Sequence, residues 1–322
     1  MTDPLRVAVV GAGYLGAFHA EKYAALPDVR LVALVDPDTA RAGRAAERAR
    51  KAGPSAADVR VTADLDEVLG EIDAASVAVP THLHHAVAAR CLEAGVDVLI
   101  EKPMTTTTDE ARDLIARAAR GGRVLAVGHL ERFNPAVAAL GEILDEPMFV
   151  EVHRLGVFSE RGTDVDVVRD LMIHDLDVVL TFVHAPLVEV RAVGVPVIAR
   201  TVDIANARLE FGNGCVANVT ASRVSRERMR KIRFFQRDLY VSVDYQAQHL
   251  TLVRRLPPEG PNDLPEIVGE QRTLPRRDAL ADEVAAFVAA VRTRGRPPVS
   301  GEDGLRALEV AERIVDAMRR YA

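Results

Sequence analysis

The sequence predicts an α/β protein with two domains, the first built on a parallel sheet and the second, α+β, on a mostly antiparallel sheet. Three observations lead to this prediction. At roughly 150 residues per domain, 322 residues suggest two domains. Nearly continuous apolar strands alternate with helical patterns up to about Asn134, as in parallel sheets covered on both faces. From Pro147 onward the strands become longer and alternate apolar with polar residues.

The first half of the chain repeats a strand and helix pattern. The apolar run LRVAVV at 5–10 is followed by the glycine-rich turn GAGYLG and then by a helix. A second run, VRLVALVD at 29–36, ends in an acid and precedes an Ala/Arg-rich helix. We place the domain boundary between residues 128 and 129, so that the domains span 1–128 and 129–322. Further strands are expected at 73–80, 96–103 and 123–129, and further helices at about 84–94 and in DEARDLIARAAR.

The second half is expected to form an antiparallel sheet with three helices. VDIANARLEF and CVANVTASRV, joined by Gly212-Asn213-Gly214, indicate a hairpin. The stretch from Pro257 to Pro275 contains five prolines and two glycines, which predicts a surface loop. The helices are expected at about 167–182, 279–292 and 301–320.

The composition excludes several classes of function. The 41 basic and 47 acidic residues leave a net charge of −6, so we expect neither nucleic acid nor an anionic membrane as a partner. Two cysteines, Cys91 and Cys215, cannot form a disulfide framework or a zinc site alone, which favours a reducing compartment. The start lacks a signal-peptide pattern, and no apolar stretch of about 18 residues occurs, so we expect a soluble, cytoplasmic protein.

The glycine-rich turn has the pattern that binds a dinucleotide. Gly11, Gly13 and Gly16 form G-x-G-x-x-G between a predicted strand and a predicted helix. Asp36 ends the next strand about 20 residues further on, where an acid binds the adenosine ribose hydroxyls and repels a 2′-phosphate. NAD is therefore favoured over NADP, although Arg41 lies a few positions further along, in the following helix, from where it can reach back to the extra phosphate of NADP. The alternative is a purely structural glycine turn.

A lysine follows a predicted strand at a position suited to chemistry. Lys102 belongs to Glu101-Lys102-Pro103, which comes directly after the apolar run VDVLI. In an open parallel sheet, ligands bind at the carboxyl ends of the strands. The alternative is a solvated lysine beside a glutamate.

A carboxylate and a histidine share one face of a predicted helix. Asp170 and His174 are four residues apart in RDLMIHDLDVVL, and Asp177 continues nearly the same stripe. A nearby carboxylate fixes the tautomer of a histidine and raises its pKa, which suits acid and base catalysis near neutral pH. The alternative is an exposed polar pair on the helix surface.

Three histidines follow another predicted strand in the sequence PTHLHH. The spacing of His82, His84 and His85 fits no closed metal site, so we expect no metal. The same segment instead suits a loop that covers the nicotinamide, shaped by Pro80 and Thr81.

Taken together, these motifs resemble those of a known family. GAGYLGAFH, the acid Asp36, PTHLHHAVA, EKP and the Asp170-x-x-x-His174 spacing are similar to the glucose–fructose oxidoreductase, inositol dehydrogenase and rhizopine catabolism (Gfo/Idh/MocA) family. The resemblance covers the whole chain and implies a Rossmann domain, a second domain with an open-faced sheet, and NAD(P)-dependent oxidation of a sugar or cyclitol carbinol. It also implies that Lys102 and His174 handle the proton while Asp170 supports His174. The predicted cofactor-binding residues are Gly11, Gly13, Tyr14, Leu15, Gly16, Asp36, Pro80, Thr81, His84, Glu101 and Lys102.

A finer resemblance suggests a substrate. GHLERFNPAV, RDLMIHDLDVVL and TASRVSRERMRKIRFFQ are similar to the UDP-N-acetylglucosamine 3-dehydrogenases of lipid A or related polysaccharide synthesis. This implies a nucleotide sugar oxidised at C3 to a ketone, which a separate aminotransferase then converts. Arginines of the second domain suit a diphosphate. The predicted substrate contacts are Arg132, Asn134, His174 and Arg223.

Two other functions stay open at this point. A dehydrogenase of a free cyclitol or sugar, such as myo-inositol, is permitted by the same fold. A non-catalytic dinucleotide sensor is also permitted, although a sensor does not need proton-transfer groups such as Lys102 and His174. A homodimer or homotetramer is expected, because one face of an antiparallel sheet can be buried against a second copy.

Overall fold

The computed structural model describes residues 3–158, 165–258 and 264–319. The chain divides into two compact units. The first consists of Met1–Leu130 and Asp278–Leu305, and the second of Glu131–Arg277 and Arg306–Ala322. A linear division after residue 128 assigns 278–305 to the second domain, whereas these residues cluster with the first unit.

The first unit alternates strands with helices, as the sequence predicts. Its strands are almost wholly buried because helices cover the sheet, which is why they are nearly continuous apolar runs. The strands are β1 (Leu5–Val10), β2 (Val29–Val35), β3 (Arg60–Thr62), β4 (Ala74–Val77), β5 (Asp97–Glu101) and β6 (Leu125–Gly128). The helices are α1 (Tyr14–Ala25), α2 (Thr39–Ala52), α3 (Asp66–Leu69), α4 (Thr81–Glu93), α5 (Thr108–Gly121) and α8 (Ala279–Thr293).

In the described part of this unit, the six strands form one sheet in the order β3-β2-β1-β4-β5-β6, and every pairing is parallel. The strand order reverses between β1 and β4, so ligands are expected at the carboxyl ends of these strands. The core combines strand residues such as Val7 and Leu31 with Val284, Phe287 and Val291 of α8. The first sheet therefore has the Rossmann topology, completed by a helix from near the end of the chain.

The second unit is an antiparallel sheet with helices packed on it. Its core joins strand residues such as Val152 and Phe234 to helix residues such as Leu176 and Ile314. The strands are β7 (Phe149–Leu155), β8 (Leu187–Val195), β9 (Ile204–Phe211), β10 (Val216–Ser222), β11 (Met229–Gln236), β12 (Leu239–Asp244), β13 (His249–Leu256) and β14 (Glu266–Thr273). The helices are α6 (Pro135–Ala138), α7 (Ile173–Phe182) and α9 (Gly301–Arg319), of which α9 begins in the first unit.

Over the described residues, this sheet has eight strands in the order β14-β13-β12-β11-β7-β10-β9-β8. All neighbours are antiparallel except β7 and β10, which confirms a mostly antiparallel second sheet. The predicted hairpin is β9 and β10. Gly214 in its turn has a φ of +85°, which favours glycine.

Two local predictions are corrected by the structure. The predicted loop from Pro257 to Pro275 is wrong over β14, which pairs with β13 while all its side chains remain exposed. Residues 259–263 of that prediction lie outside the described residues. The predicted helix at about 167–182 begins with a π-helical turn, Val168–Met172, before α7. Neither the exposed strand nor the π-helical turn changes the spacing of apolar residues, so the hydrophobic periodicity of the sequence cannot detect them.

The search for membrane-crossing helices was confined to the described residues. None of their helices combines the length and the apolar character that crossing a membrane requires.

Candidate functional site

The turn between β1 and α1 has the close backbone approaches that its three glycines predict. A Cβ on Gly16 would lie 1.7 Å from the carbonyl oxygen of Gly11, and one on Gly11 would lie 2.5 Å from that of Ala78. Gly11 also has a φ of +95°. Gly13 has no other group within 4 Å of its Cβ position. Because α1 begins at Tyr14 without a side-chain cap, its amino end can receive a pyrophosphate at Gly13.

Asp36, directly after β2, is held by donors from three sides. Its carboxylate is 3% exposed and accepts hydrogen bonds from the backbone N–H groups of Ala12, at 2.7 Å, and Asp38, at 2.8 Å. The Arg41 guanidinium donates to both oxygens, at 2.6 and 3.2 Å. Burial alone would raise the pKa of Asp36, but Arg41 and the two backbone donors lower it. The acid predicted to bind ribose is therefore ionised and paired with Arg41.

Lys102 lies between Glu101 and Pro103, and each of these two neighbours is hydrogen-bonded to a buried histidine. His19 of α1 is 2.8 Å from Glu101 through its Nε2 atom, and the Lys102 backbone N–H lies 3.3 Å from the other Glu101 oxygen. The His84 Nδ1 atom lies 2.9 Å from the Pro103 carbonyl oxygen. The Lys102–Pro103 peptide bond is cis. The half-buried Lys102 side chain therefore projects from a segment whose backbone is fixed on both sides.

The segment PTHLHH is the start of α4 rather than a loop. Pro80 precedes α4 and Thr81 is its first residue. His84 is 1% exposed, and its second ring nitrogen lies 2.9 Å from the Val79 carbonyl oxygen. Burial lowers the pKa of His84. His84 therefore joins the ends of β4 and β5, and its predicted contact with the cofactor stays a prediction. His85 faces Asp113 at 2.8 Å.

In the second unit, Asp170 and His174 lie on the two sides of a change in helix geometry. Asp170 belongs to the π-helical turn Val168–Met172, and His174 is the second residue of α7. Both side chains are half-buried. Single π-helical turns inside helices occur frequently at functional sites. Because the π-helical turn continues directly into α7, Asp170 and His174 lie on one continuous helical segment.

Two buried ion pairs hold this segment beside His174. Asp175 accepts hydrogen bonds from Arg154 of β7 at 2.5 and 3.0 Å, and Asp177 from Arg132 at 2.7 and 2.8 Å. Both carboxylates are at most 1% exposed. Because bidentate pairs constrain orientation as well as distance, they fix the rotation of α7 and the direction of His174.

The other predicted substrate contacts take part in interactions that support the fold. Asn134 is 5% exposed, caps α6 through the backbone N–H of Ala136, and donates to the Tyr245 carbonyl oxygen at 3.0 Å. Arg223 is 4% exposed and pairs with the buried Asp203 at 2.7 Å. Together with Arg132, these residues make contacts that a structural role explains.

Sequence reasoning missed several residues of these arrangements. His19, 82 residues before Glu101, and Glu283, 182 residues after it, both lie beside the Glu101 carboxylate, and nothing in the chain order brings the three together. Arg154 and Asp175 lie in amphipathic segments where charged residues are normally solvated. A signal existed only for Arg41, which follows Asp36 at a distance that the first turn of a helix can span.

A dinucleotide-binding parallel sheet, an acid after its second strand and a lysine after its fifth define a nicotinamide-dependent oxidoreductase. The chain belongs to the Gfo/Idh/MocA oxidoreductase family. Residues 5–129 match the model of the oxidoreductase family with an NAD-binding Rossmann fold, and residues 110–239 match the GFO/IDH/MocA C-terminal domain. The glycine turn and Asp36 fit NAD. The space at Gly13, which a Cβ would fill, admits the pyrophosphate, and Asp36 follows β2, where an acid binds the ribose hydroxyls.

Individual proteins and solved structures that are similar to this chain support the assignment. The chain is 40% identical to UDP-N-acetylglucosamine 3-dehydrogenase of Acidithiobacillus ferrooxidans, over 98% of each chain. A solved structure of that enzyme matches with a TM-score of 0.91 at 39% identity, over 99% of each chain. Inositol 2-dehydrogenase 2 of Paenarthrobacter aurescens is 31% identical over 58% of each chain. Levoglucosan dehydrogenase in complex with NADH, at 18% identity and a TM-score of 0.85, shares the fold.

Proposed function

We propose that this protein oxidises the C3 hydroxyl of UDP-N-acetylglucosamine to a ketone, with NAD as the hydride acceptor. The observation that carries the proposal is the 40% identity to a UDP-N-acetylglucosamine 3-dehydrogenase over 98% of both chains. The inositol 2-dehydrogenase match is shorter, at 58% of each chain. Since the longer match covers nearly the whole chain, and with it nearly all of the second unit, it favours the nucleotide sugar over a free cyclitol.

The proposed roles follow the proton and the hydride separately. NAD, when bound, supplies the acceptor for the hydride that leaves C3. Lys102 or His174 takes the hydroxyl proton, so that the carbon–oxygen bond becomes a carbonyl as the carbon–hydrogen bond breaks. Asp170 supports His174. The fixed backbone around Lys102 and the two ion pairs beside His174 support these assignments, because proton transfer requires a defined position.

For the substrate contacts, we retain His174 and give Arg132 a different role. Its guanidinium holds Asp177 and so orients the helix that carries His174. Asn134 and Arg223 are assigned to the fold for the same reason: their polar atoms bind Tyr245 and Asp203. A change at any of the three would then act through structure rather than through a lost substrate contact.

The cellular setting is proposed from the two cysteines, from exposed apolar residues and from the expected product. Cys91 and Cys215 are both buried and free, which supports a reducing cytoplasm. Exposed apolar residues on β8, including Val188 and Val193, support association of copies as a homodimer or homotetramer. A 3-keto nucleotide sugar supports a place in lipid A or polysaccharide precursor synthesis, before an aminotransferase.

The first test is NADH formation by the purified protein with NAD and one of three compounds: UDP-N-acetylglucosamine, N-acetylglucosamine or myo-inositol. Parallel reactions contain 2-oxoglutarate, in case bound NADH stalls turnover. We expect NADH only with the nucleotide sugar. Activity on myo-inositol alone would replace this proposal with the cyclitol dehydrogenase, and NAD binding without turnover on any compound would favour the sensor.

The matched variant for this test is Lys102→Met, which removes the ammonium group but keeps an unbranched side chain. We expect kcat to fall by about 100- to 10,000-fold, the usual contribution of acid and base catalysis, while NAD binding is retained. A kcat close to the wild-type value would remove Lys102 from the mechanism.

A further inference from the structure

Three ionisable side chains from distant parts of the chain meet inside the first unit. They are His19 of α1, Glu101 at the end of β5 and Glu283 of α8. A ring nitrogen and one carboxyl oxygen of each acid lie within 4.8 Å of one another. Their exposed fractions are 1%, 8% and 2%. Because water screens none of them well, each charge acts strongly on the other two.

Two of the three residues belong to a continuous chain of hydrogen bonds. The His19 Nδ1 atom is 3.1 Å from the Ser76 hydroxyl, which is 2.8 Å from the Tyr23 hydroxyl. The His19 Nε2 atom is 2.8 Å from one Glu101 oxygen, and the Lys102 backbone N–H donates to the other at 3.3 Å. The Glu101 carboxylate therefore connects helix α1 to the backbone of Lys102.

Glu283 differs from both of its neighbours. Neither of its carboxyl oxygens has a hydrogen-bond partner among the described residues. Burial, followed by the charge of Glu101, raises the pKa of Glu283 well above its ordinary value. Although burial opposes it, the hydrogen bond and charge of His19 lower the pKa of Glu101. These opposite shifts favour one negative charge on the pair, carried by Glu101, with Glu283 protonated.

Burying the carboxyl group of Glu283 without a hydrogen-bond partner costs free energy of folding. An apolar residue of similar size would avoid the desolvation of the carboxyl group. Perturbed ionisable groups of this kind concentrate at functional sites. The position of Glu283 beside the residue that precedes Lys102 indicates which function it serves.

We propose that Glu283 is a positioning residue for Lys102 and acts through Glu101. As a neutral acid, it leaves the negative charge on Glu101, whose carboxylate then holds the His19 ring and the Lys102 backbone. An ionised Glu283 would repel that carboxylate and weaken its hold on Lys102. The role rests on the proposed function, in which Lys102 handles the substrate proton.

The groups that set the charge of Glu283 come from three elements. His19 and Tyr23 face it from α1, and Glu101 faces it from the end of β5. Lys102 and, from α4, His84 act on Glu101. Burial is the main reason that Glu283 stays protonated, and the negative charge of Glu101 adds to it.

The first test measures stability and does not depend on activity. Unfolding lets Glu283 ionise near its ordinary value of 4.5, so the folded state loses stability relative to the unfolded state as pH rises above that value. This loss of stability ends once Glu283 also ionises in the folded protein. We expect Glu283→Gln to melt at higher temperature than wild type above pH 4.5, by about 2 °C more for each pH unit. The control, Glu302→Gln, changes an exposed carboxyl on α9 and should show no such trend.

The second test observes Lys102 directly. The chain has only four lysines, Lys22, Lys51, Lys102 and Lys231, so reductive ¹³C-methylation gives few side-chain signals, and Lys102→Arg assigns one of them. We expect the Lys102 signal of wild type to change as Glu283 ionises in the folded protein. Glu283→Gln should lack that inflection, while the other three lysines behave alike in both proteins.

The third test separates position from binding. Since an ionised Glu283 would loosen the hold of Glu101 on Lys102, we expect the kcat of wild type to fall tenfold or more as the pH rises through the ionisation of Glu283 in the folded protein, because a misplacement of about 1 Å costs up to about 100-fold. Glu283→Gln and Glu283→Leu are neutral at every pH, so both should keep the kcat of wild type at neutral pH and lack this fall, while the KM for NAD stays unchanged in all three proteins. The same fall of kcat in wild type and in both variants would overturn the positioning role.

Two further outcomes would overturn the proposal. One is an unchanged Lys102 titration in Glu283→Gln; the other is an equivalent of divalent metal in the purified protein that is lost in this variant. If the wild type turns over none of the sugars, the proposed function fails, but the melting and methyl-lysine experiments still decide whether Glu283 is neutral and coupled to Lys102.

Discussion

At the scale of single residues, the carboxylate of Asp36, which is predicted to bind the ribose, already accepts hydrogen bonds from other residues of the protein. Four N–H donors fill its carboxylate, two from the backbone and two from Arg41. Ribose hydroxyls also need these oxygens, so Arg41 has to give up at least part of its contact when an adenosine ribose binds. The side chain of Arg41 is 46% exposed and can turn away without unburying other groups.

Arg41 is therefore expected to influence the choice between NAD and NADP. A released guanidinium beside the ribose can bind a 2′-phosphate, and a hydrogen bond to a charged group contributes about 1.5–3 kcal/mol. We expect Arg41→Ala to weaken NADP binding by roughly 10- to 100-fold and to leave NAD binding equal or tighter. Titration calorimetry with both cofactors measures this, with Arg44→Ala on the same helix as control. A parallel loss for both cofactors would contradict this role.

At the scale of elements, the turn between β1 and α1 depends on backbone contact that only glycine permits. Gly16 approaches Gly11 so closely that a Cβ would overlap the carbonyl oxygen, at 1.7 Å. The same helix carries His19, which reaches Glu101. Displacing α1 would therefore disturb both the pyrophosphate position and the Lys102 segment.

A pair of glycine-to-alanine changes tests this dependence. Gly16→Ala is expected to abolish NAD binding and to lower the melting temperature, because the turn has to open to admit a methyl group. Gly43→Ala, in the middle of α2 with nothing within 4 Å of its Cβ position, is expected to stabilise the protein by up to about 1 kcal/mol. Thermal melting with and without NAD measures both. Normal NAD binding by Gly16→Ala would show that the turn is more compliant than its geometry indicates.

At the scale of the whole molecule, the first unit is not continuous in sequence. Its core includes Val284, Phe287 and Val291 of α8, more than 140 residues after Leu130. The same helix contributes Glu283 to the cluster beside Lys102. The Rossmann unit and its functional residues therefore depend on a segment from near the end of the chain.

Fragments of the chain test this dependence. Residues 1–130 alone lack α8, whose large apolar side chains each contribute about 1.5–3 kcal/mol by burial. We expect that fragment to be unfolded or to melt well below residues 1–130 joined to 278–305 by a flexible Gly/Ser linker. Circular dichroism melting compares the two. As a control, a linked fragment with Phe287→Ala should lose most of the gain; equal stability of both unmodified fragments would show that α8 is dispensable.

How much of this could be predicted depends on whether a signal is local. The parallel sheet followed from apolar runs between helices, and the hairpin of β9 and β10 from a Gly-Asn-Gly turn. The exposed strand β14 left no apolar pattern, because its stability comes from backbone pairing with β13. The π-helical turn that contains Asp170 was hidden for a similar reason, since it shifts hydrogen bonds without changing residue types.

The sequence by itself determined the family, the cofactor turn and the candidates for proton transfer, because each depends on residues a few positions apart. Only the tertiary structure decided that Arg41 forms an ion pair with Asp36, and that Arg132 and Arg223 bind acids of their own unit. It also decided that Glu283 lies beside Glu101. These pairings join residues up to 182 positions apart, and burial sets their charge states. Long-range packing determines both their distances and the absence of water, and neither can be read from residue types along a chain.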